Sequence, residues 1–373
     1  MNTMNYAFLC SAPPPPNGLK AAVVGSGPAG LSAAGWLACA GYEVHVYDKL
    51  PKAGGLLVFG IPGFRIPARR IEDAAEKLAE EYGIRFHFCT KICTQDKVCE
   101  SGDEFVDEMV SLSELLHECA AVLICTGSWR PRRLNIPGED LSGVYTSLEF
   151  LFPLRACKMT QSPGQAPLVA PPKVEGQRVA VIGAGLSAVD VVQSCLRLGA
   201  EEITMLYRKT VDEAPAGRME IKLLRQRGVH WVERTTPKRI TGDNKARQLV
   251  FTQGEETREQ ELDVDLVVAA IGEVPTNPFP RELRLEDISK DGKGWLQMTK
   301  FEGVFVAGDV LTGPSKIGRA ILSGLKAAES LDGWIKAHQA DSGDPRGEMA
   351  GEVMEETTEA AADATPRKEV ADV

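Results

Sequence analysis

A glycine-rich turn near the start of the chain has the residue types and spacing of a phosphate-binding site. Residues 25–30 read GSGPAG and follow an apolar stretch at 19–24. In the GxGxxG pattern the first glycine permits the tight turn, the second lets a pyrophosphate approach, and the third lets a helix pack on the strand. Free N–H groups and the dipole at the helix start favour phosphate. The predicted pyrophosphate-binding residues are Gly25, Gly27, Pro28, Ala29 and Gly30.

An acid follows this turn at the distance that a dinucleotide site requires. Asp48 ends the next predicted strand, 42–47, where its carboxylate can accept hydrogen bonds from ribose hydroxyls. A glycine-rich turn without a ligand is the alternative interpretation. The strand, the helix and the acid in the expected order favour a dinucleotide.

A second turn of the same kind begins at residue 183. Residues 183–188 read GAGLSA after a strand at 178–182, and alanine is permitted at the last position of the pattern. After the next strand, Arg208 and Lys209 stand where an acid would be expected. Two cations beside a ribose favour a 2′-phosphate and therefore NADP(H) over NAD(H), the alternative being a solvated basic pair. The predicted residues of this site are Gly183, Gly185, Ser187, Ala188, Arg208 and Lys209.

The elements that position these residues alternate between strands and helices. Further strands are predicted at 120–125, 202–207, 229–232, 265–271 and 304–306, and helices at 30–40, 69–82, 187–198, 219–227 and 317–336. The segments 51–67 and 160–177 are rich in glycine and proline and are predicted as loops. Such alternation predicts an α/β fold with parallel sheets and right-handed crossovers.

Composition and charge narrow the function classes. The 373 residues are 43% hydrophobic and 25% charged, which is typical of a chain with a folded core. The formal net charge is −10, and most of it lies after residue 337, so a nucleic-acid partner is not expected. The longest uncharged run, Ala21–Tyr42, contains five glycines, which disfavours a membrane span, and we expect a cytoplasmic protein.

The cysteines predict neither a disulfide framework nor a metal site. Their number is nine, which is odd, and none form a CxxC pair. Cys89, Cys93 and Cys99 are the most closely spaced, and reduced structural thiols are favoured over cluster ligands, whose runs are usually tighter. Their role stays open.

Several short motifs, taken with the two turns, resemble the flavoprotein superfamily that includes the pyridine-nucleotide-disulfide oxidoreductases. They are Gly54-Gly55, Thr126-Gly127, Ile271-Gly272 and Gly308-Asp309. The loop at 60–67, GIPGFRIP, is similar to that of the small (beta) subunit of NADPH-dependent glutamate synthase and its relatives. The resemblance covers about residues 19–336.

The resemblance implies FAD at the first turn and NADPH at the second. Gly55 and Ile61 would lie along the flavin, Gly54 would be a further cofactor-binding residue, and Asp309 would hold the ribityl-phosphate region of the flavin. A helix starting at Lys316 and Ile317 would point at the flavin pyrimidine. Thr126, Gly127, Gly272 and Gly308 would border the cofactors, and Asp190 also fits the family pattern. The chain departs from that pattern at Leu186-Ser187, where relatives carry Asn-Thr, and at Lys209, where they carry a second arginine.

The same resemblance implies two nested Rossmann-like domains. The expected boundaries are a leader at 1–18, an FAD-binding domain at 19–128 and 275–336, an NADPH-binding domain at 129–274 and an acidic disordered tail at 337–373.

The expected activity is hydride transfer between NADPH and FAD, which requires no side-chain acid or base, so no catalytic residue is predicted. The chain shows neither the cluster-ligating cysteine motifs of relatives nor a redox CxxC pair. We therefore expect an external acceptor, an iron–sulfur protein or a larger oxidoreductase subunit. The alternatives are an NADPH dehydrogenase for sulfur, polysulfide or a quinone, and a non-catalytic nucleotide-sensing subunit.

Overall fold

The structure is a computed structural model that describes residues 5–7, 9–93, 100–160, 169–255, 258–276, 297–299 and 301–342. Its strands are β1 (Lys20–Val24), β2 (Glu43–Tyr47), β3 (Arg85–His87), β4 (Thr90–Ile92), β5 (Glu108–Val110), β6 (Ala121–Ile124), β7 (Arg130–Pro131), β8 (Val144–Thr146), β9 (Arg178–Ile182), β10 (Glu202–Tyr207), β11 (His230–Glu233), β12 (Thr235–Thr241), β13 (Gln248–Gln253), β14 (Glu259–Asp263), β15 (Leu266–Ala269), β16 (Glu273–Val274) and β17 (Val304–Val306). Its α-helices are α1 (Pro28–Cys39), α2 (Leu56–Phe59), α3 (Arg69–Tyr82), α4 (Leu112–Glu118), α5 (Ser147–Thr160), α6 (Leu186–Arg197), α7 (Arg218–Gln226), α8 (Asp309–Thr312) and α9 (Ile317–Ser342).

The first sheet contains five parallel strands in the order β17-β6-β1-β2-β3. Helices α1, α3 and α9 cover one face, where Leu37, Ile71 and Leu331 are fully buried against alternate residues of the strands. Helix α4 and the small β4-β5 pair cover the other face. The parallel order confirms the predicted α/β class and brings a late strand, β17, beside an early one.

The second sheet repeats this arrangement with five parallel strands in the order β11-β10-β9-β15-β8. Helices α5, α6 and α7 cover one face. The antiparallel sheet β12-β13-β14, which was not predicted, covers the other face with Ile240, Leu249 and Phe251. Each sheet with its covering elements is called a unit below, the first unit being built on β1 and the second on β9.

Helix α5 belongs to both hydrophobic cores. Leu148, Phe152 and Ala156 are buried in the core of the first unit, whereas Phe150 and Leu151 are buried in that of the second. A helix with apolar residues on two opposed faces shows no simple amphipathic pattern, and α5 also contains a proline. These properties explain why the sequence did not predict it.

The segment before β1, predicted as a leader, packs on the first unit. Tyr6 and Ala7 are buried, and the Tyr82 hydroxyl donates a hydrogen bond to the Cys10 carbonyl oxygen at 3.0 Å. A Cβ atom on Gly35 of α1 would lie 2.2 Å from the Tyr6 carbonyl oxygen, so the two backbones are in close contact.

A disulfide joins Cys10 to Cys39 at the end of α1, a bond that was not expected from a sequence that predicts no disulfide framework. The two cysteines are 29 residues apart in sequence, and a Cα–Cα distance of 5.7 Å brings them into bonding range. Cysteine counts and motif spacing could not reveal this pair, because the contact depends on how the segment before β1 folds back on α1.

We expect Cys10→Ser to lower the free energy of unfolding by up to about 3–4 kcal/mol, the loop-closure value for a loop of this length. Urea denaturation measures the change. Reducing the unmutated chain with a dithiol should give the same loss, because it opens the same bond. If dithiol left the unfolding midpoint unchanged and Cys10 reacted freely with a thiol reagent before reduction, the bond would not exist in solution.

Helix α9 runs to Ser342, six residues beyond its predicted end at 336. The predicted disordered tail therefore begins inside a helix, and its residues 343–373 lie outside the described residues. No described helix is both long and apolar enough to cross a membrane.

Candidate functional site

The first glycine turn has the geometry that phosphate binding requires. Gly25 has φ +104°, its N–H donates to the Tyr47 carbonyl oxygen at 2.7 Å, and a Cβ atom there would lie 2.5 Å from the Cys125 carbonyl oxygen. A Cβ on Gly30 would lie 1.9 Å from the Gly25 carbonyl oxygen. A Cβ on Gly27 would meet nothing within 4 Å. Gly25 and Gly30 are therefore required by the backbone, whereas Gly27 leaves space open in front of the turn.

The start of α1 is free to bind an anion. Gly27 is its N-cap, no side chain caps it, and Pro28 occupies the first turn. The first N–H groups of a helix lack intrahelical partners, and the dipole adds positive potential there. The open space at Gly27 therefore lies beside donors that suit a phosphate.

Asp48 is buried beside the same turn, with most of its hydrogen-bonding capacity already used. Its Oδ2 accepts hydrogen bonds from the Ser26 N–H at 2.7 Å and hydroxyl at 2.6 Å, and its Oδ1 accepts one from the Leu50 N–H at 2.9 Å. Burial raises the pKa of Asp48, and these hydrogen bonds oppose the rise. A carboxylate has about four acceptor sites, so Oδ1 retains roughly one for a ribose hydroxyl.

The second turn repeats the first. Gly183 has φ +131°, its N–H donates to the Leu206 carbonyl oxygen at 2.9 Å, and a Cβ there would lie 2.1 Å from the Ala270 carbonyl oxygen. Gly185 is the uncapped N-cap of α6, and a Cβ on it would meet nothing within 4 Å. Both turns thus fit a nucleotide pyrophosphate.

The repeat shows which residues replace the acid in the second unit. Gly25 bonds to Tyr47 and Asp48 follows, while Gly183 bonds to Leu206 and Tyr207 follows. Tyr207 therefore occupies the register of Asp48, and the two predicted cations come one and two positions later.

Arg208 and Lys209 differ in whether a carboxylate already pairs with them. Lys209 Nζ lies 3.1 Å from Glu213 Oε1, and this pairing holds the pKa of Glu213 below its usual range. Arg208 is exposed, and no carboxylate among the described residues lies within salt-bridge distance of it. Arg208 is thus the stronger candidate for a phosphate contact.

A cavity of ≈ 620 Å³ lies where the two units meet, and residues of both line it. It includes the start of α6, contributed by Leu186, Ser187 and Asp190. The structure brings together these predicted site residues: Gly25, Gly27, Pro28, Ala29, Asp48, Gly55, Ile61, Thr126, Gly127, Ser187, Asp309, Lys316 and Ile317. It does not place the following predicted residues on the wall: Gly30, Gly54, Gly183, Gly185, Ala188, Arg208, Lys209, Gly272 and Gly308.

Packing explains three residues of the second group. A Cβ on Gly54 would lie 2.5 Å from Val58 Cγ2, and one on Gly308 would lie 2.7 Å from Ala29 Cβ. Ala188 is fully buried at the position that Gly30 holds in the first turn. These residues shape the turns without facing the cavity.

A cluster of charged residues on the wall was not predicted. Lys49 Nζ lies 3.3 Å from both Glu100 Oε2 and Asp103 Oδ1, and 4.6 Å from the centroid of the Trp129 ring. Arg130 Nε lies 3.0 Å from Glu100 Oε1. Lys49, Glu100 and Arg130 are far apart in sequence and form no local motif. Only the fold brings this charged cluster together.

An arginine–carboxylate pair crosses the cavity between the units. Arg65 Nη1 of the predicted loop donates to Asp190 Oδ2 of α6, and both residues line the cavity. Asp190 Oδ1 is buried without a hydrogen-bond partner among the described residues. Burial raises the pKa of Asp190, and Arg65 opposes the rise. A buried acceptor without a donor costs free energy, so the contact with Arg65 compensates only part of the cost of burying this carboxylate.

Residues that begin α8 and α9 form another part of the wall. The Ser315 hydroxyl donates to Asp309 Oδ1 at 2.6 Å, and the Ser128 hydroxyl donates to the Asp309 carbonyl oxygen at 3.1 Å. Lys316 lines the cavity and is exposed, with no described carboxylate within 4.0 Å. This leaves a cation at the mouth of the cavity.

Two of the three closely spaced cysteines, which were predicted to be reduced structural thiols, lie among the described residues. Cys93 is buried and lines the cavity, Cys89 is half-buried, and Cys99 lies outside the described residues. Burial raises the pKa of both described thiols, which keeps them protonated near neutral pH. The described part of the chain contains no group of three His, Cys, Asp or Glu residues that could hold a metal ion.

Comparison with known proteins gives consistent matches. The family model for pyridine nucleotide-disulphide oxidoreductases matches residues 19–325. The glutamate synthase [NADPH] small chain of Azospirillum brasilense is 31% identical over 86% of this chain and 67% of its own length. The NADP(+)-dependent formate dehydrogenase subunit beta of Moorella thermoacetica is 30% identical over 86% of this chain, which spans only 44% of that subunit.

A solved structure has the same fold. Mycobacterium tuberculosis FprA in complex with NADPH matches with a TM-score of 0.69 at 20% sequence identity, over 87% of this chain and 86% of that one. The match confirms the predicted fold class independently of the sequence relatives.

Proposed function

Because the chain belongs to the pyridine nucleotide-disulphide oxidoreductase family, we propose that it is an NADPH-dependent FAD oxidoreductase that passes electrons to a partner. The observation that supports this most is the cavity of ≈ 620 Å³ that residues of both units line. Residues of the glycine-rich turn at the start of α1 line this cavity, and so do residues at the start of α6. Two nucleotides bound at these helix starts would meet inside the cavity.

The first unit suits FAD. The open space at Gly27 and the uncapped start of α1 would accept its pyrophosphate, and Asp48 would accept a ribose hydroxyl. When bound, FAD supplies the two-electron chemistry and NADPH supplies the hydride, so the protein's part is to bind and orient both. Gly55, Ile61 and Asp309 also line the cavity, where they would lie along the bound FAD.

The second unit suits NADPH. Gly185 leaves the start of α6 open, and Arg208 follows the end of β10, the strand whose Leu206 carbonyl oxygen accepts from the Gly183 N–H. We assign the FAD domain to 19–128 and 275–336 and the NADPH domain to 129–274. The membership of β17 in the first sheet supports that division, since it returns the chain to the first unit.

Anaerobic mixing with reduced nucleotide tests the proposal. The purified chain should release FAD on heating, and NADPH should bleach the flavin absorbance in a stopped-flow instrument much faster than NADH does. A chain that binds FAD and NADPH without any bleaching would be a sensing protein, and the proposed activity would be wrong.

The acceptor is proposed to be an iron–sulfur protein or a larger partner subunit. The relatives named above are a small chain and a subunit beta, names that describe parts of assemblies. The NADPH-reduced chain should be offered ferredoxin-type proteins in parallel with sulfur, polysulfide and a quinone. Efficient reduction of a small acceptor, with none of an iron–sulfur protein, would favour the self-contained dehydrogenase instead.

We expect Lys316→Ala to lower the midpoint potential of bound flavin by about 10–20 mV, since an exposed cation near the flavin stabilises the negative charge of its reduced form by roughly 0.5–1 kcal/mol. Arg319→Ala is the matched control, because Arg319 is exposed on the same helix but does not line the cavity. Spectroelectrochemical titration measures both potentials. If the Lys316→Ala and Arg319→Ala variants had the same midpoint potential, Lys316 would face solvent rather than the flavin.

A further inference from the structure

Three arginines join the two units at one short stretch of the first unit: two of them contact the stretch, and the third belongs to it. This stretch is residues 58–65, the end of α2 and the loop after it. Arg155 of α5 donates from Nε to the Val58 carbonyl oxygen at 2.8 Å. Arg197, at the end of α6, places its guanidinium carbon 4.2 Å from the centroid of the Phe64 ring. Arg65 of the loop pairs with Asp190 of α6. These three residues are called the arginine clasp.

Hydrophobic packing through α5 also joins the two units. Phe152 of α5 lies in the core of the first unit, with its ring centroid 6.1 Å from those of Phe59, Phe105 and Trp129. One side of α5 is thus fixed to the first unit while its other side is buried in the second. The units therefore touch through a packed helix as well as through polar contacts.

Two members of the clasp lie away from the cavity. Arg155 and Arg197 do not line it, whereas Arg65 does. Arg197 is exposed, and Arg155 is partly buried, with Nη2 lacking a hydrogen-bond partner among the described residues. Burying a guanidinium nitrogen without a hydrogen-bond partner costs free energy. Their contacts fix the stretch 58–65 against α5 and α6, and no cavity ligand is needed to explain them.

We propose that the arginine clasp holds the two units in one orientation, and that Arg155 and Arg197 are positioning residues for hydride transfer. The inference rests on the proposed function. Ile61 and Arg65 of the first unit line the cavity, and so do Leu186, Ser187 and Asp190 of the second unit. The clasp joins the stretch 58–65 to α5 and to α6, the helix that carries these residues of the second unit, so it sets the separation between the two ligands. Reacting atoms must lie within about 3–3.5 Å, and a misplacement of about 1 Å can slow a reaction roughly 100-fold.

The test uses the full chain with Arg155→Ala, Arg197→Ala and both together. Arg225→Ala is the matched control, because Arg225 is exposed on α7 of the second unit and does not line the cavity. We expect the double variant to keep its FAD and to bind NADPH within about twofold of the unmutated chain. The rate of flavin reduction at saturating NADPH should fall by between about 10- and 100-fold. Arg155→Lys, which keeps a donor for Val58, should recover part of that rate.

A second readout measures orientation without any turnover. Labels introduced through non-natural amino acids at Glu80 of α3 and Lys222 of α7, both exposed, report the distance between the units. The unmutated chain should give one narrow distance distribution, and the double variant a broader or shifted one. An unchanged distribution with an unchanged rate would overturn the proposal.

Different results would contradict the proposed function and the proposed role of the arginine clasp. If NADPH does not reduce the flavin of the unmutated chain, the proposed function is wrong, and the label distances still decide whether the clasp fixes the units. If Arg155→Ala unfolds, Arg197→Ala alone remains decisive, since its side chain is exposed. A normal rate and a narrow distribution in Arg197→Ala would then overturn the role of that contact.

Discussion

Replacing Gly27 with valine is expected to give a folded chain that has lost nearly all of its FAD. The backbone at Gly27 has φ −70° and ψ −177°, an extended conformation that valine adopts without strain. A Cβ there meets no protein atom within 4 Å, so the added side chain points into the space that the pyrophosphate needs. Losing two charge-assisted hydrogen bonds to phosphate costs about 3–6 kcal/mol, roughly a 10²–10⁴-fold loss of affinity.

Two matched variants separate this effect from damage to the fold. Gly30→Ala should destabilise the chain, because its Cβ would lie 1.9 Å from the Gly25 carbonyl oxygen. Gly185→Val should keep FAD but weaken NADPH binding, because the same open position exists in the second turn. Flavin released on heating, nucleotide titration and circular dichroism give the three measurements. A Gly27→Val chain that purifies with a full complement of FAD would contradict the assignment of the first turn.

The residues best predicted from the sequence are those whose roles depend on local geometry. The GxGxxG spacing is local, and the structure gives Gly25 and Gly183 the positive φ that the pattern implies. Strand β9 has the predicted bounds, because a continuous apolar run defines a buried parallel strand. Parallel pairing then followed from the alternation of strands and helices.

The features that the sequence did not reveal depend on contacts between distant segments. Helix α5 is apolar on two faces because it joins two cores, and β14 carries Glu259, Glu261 and Asp263 on its exposed side. The Cys10–Cys39 bond requires the chain start to fold back on α1. Arg65 lies within a motif that the sequence did single out, but nothing local indicates that it pairs with a residue 125 positions later.

Replacing Arg208 with aspartate is expected to reverse much of the preference for NADPH over NADH. Arg208 is exposed at the end of β10 and has no carboxylate partner among the described residues, so its guanidinium is available to a 2′-phosphate. One charge-assisted contact of this kind is worth about 1.5–3 kcal/mol, or roughly 10–150-fold. An acid at this position also repels the phosphate, so the ratio of kcat/KM for the two nucleotides should fall by about 100-fold or more.

Lys209 and Arg227 provide the comparison for this variant. Lys209→Ala should change the ratio less than Arg208→Asp, since Lys209 already pairs with Glu213 at 3.1 Å. Arg227→Asp makes the same charge change on the second unit, but Arg227 precedes β11. Because β10 and β11 are parallel, the start of β11 lies at the edge of the sheet opposite to the end of β10. Arg227→Asp should therefore leave the ratio unchanged, and a loss equal to that of Arg208→Asp would mean that overall charge, not a phosphate contact, selects the nucleotide.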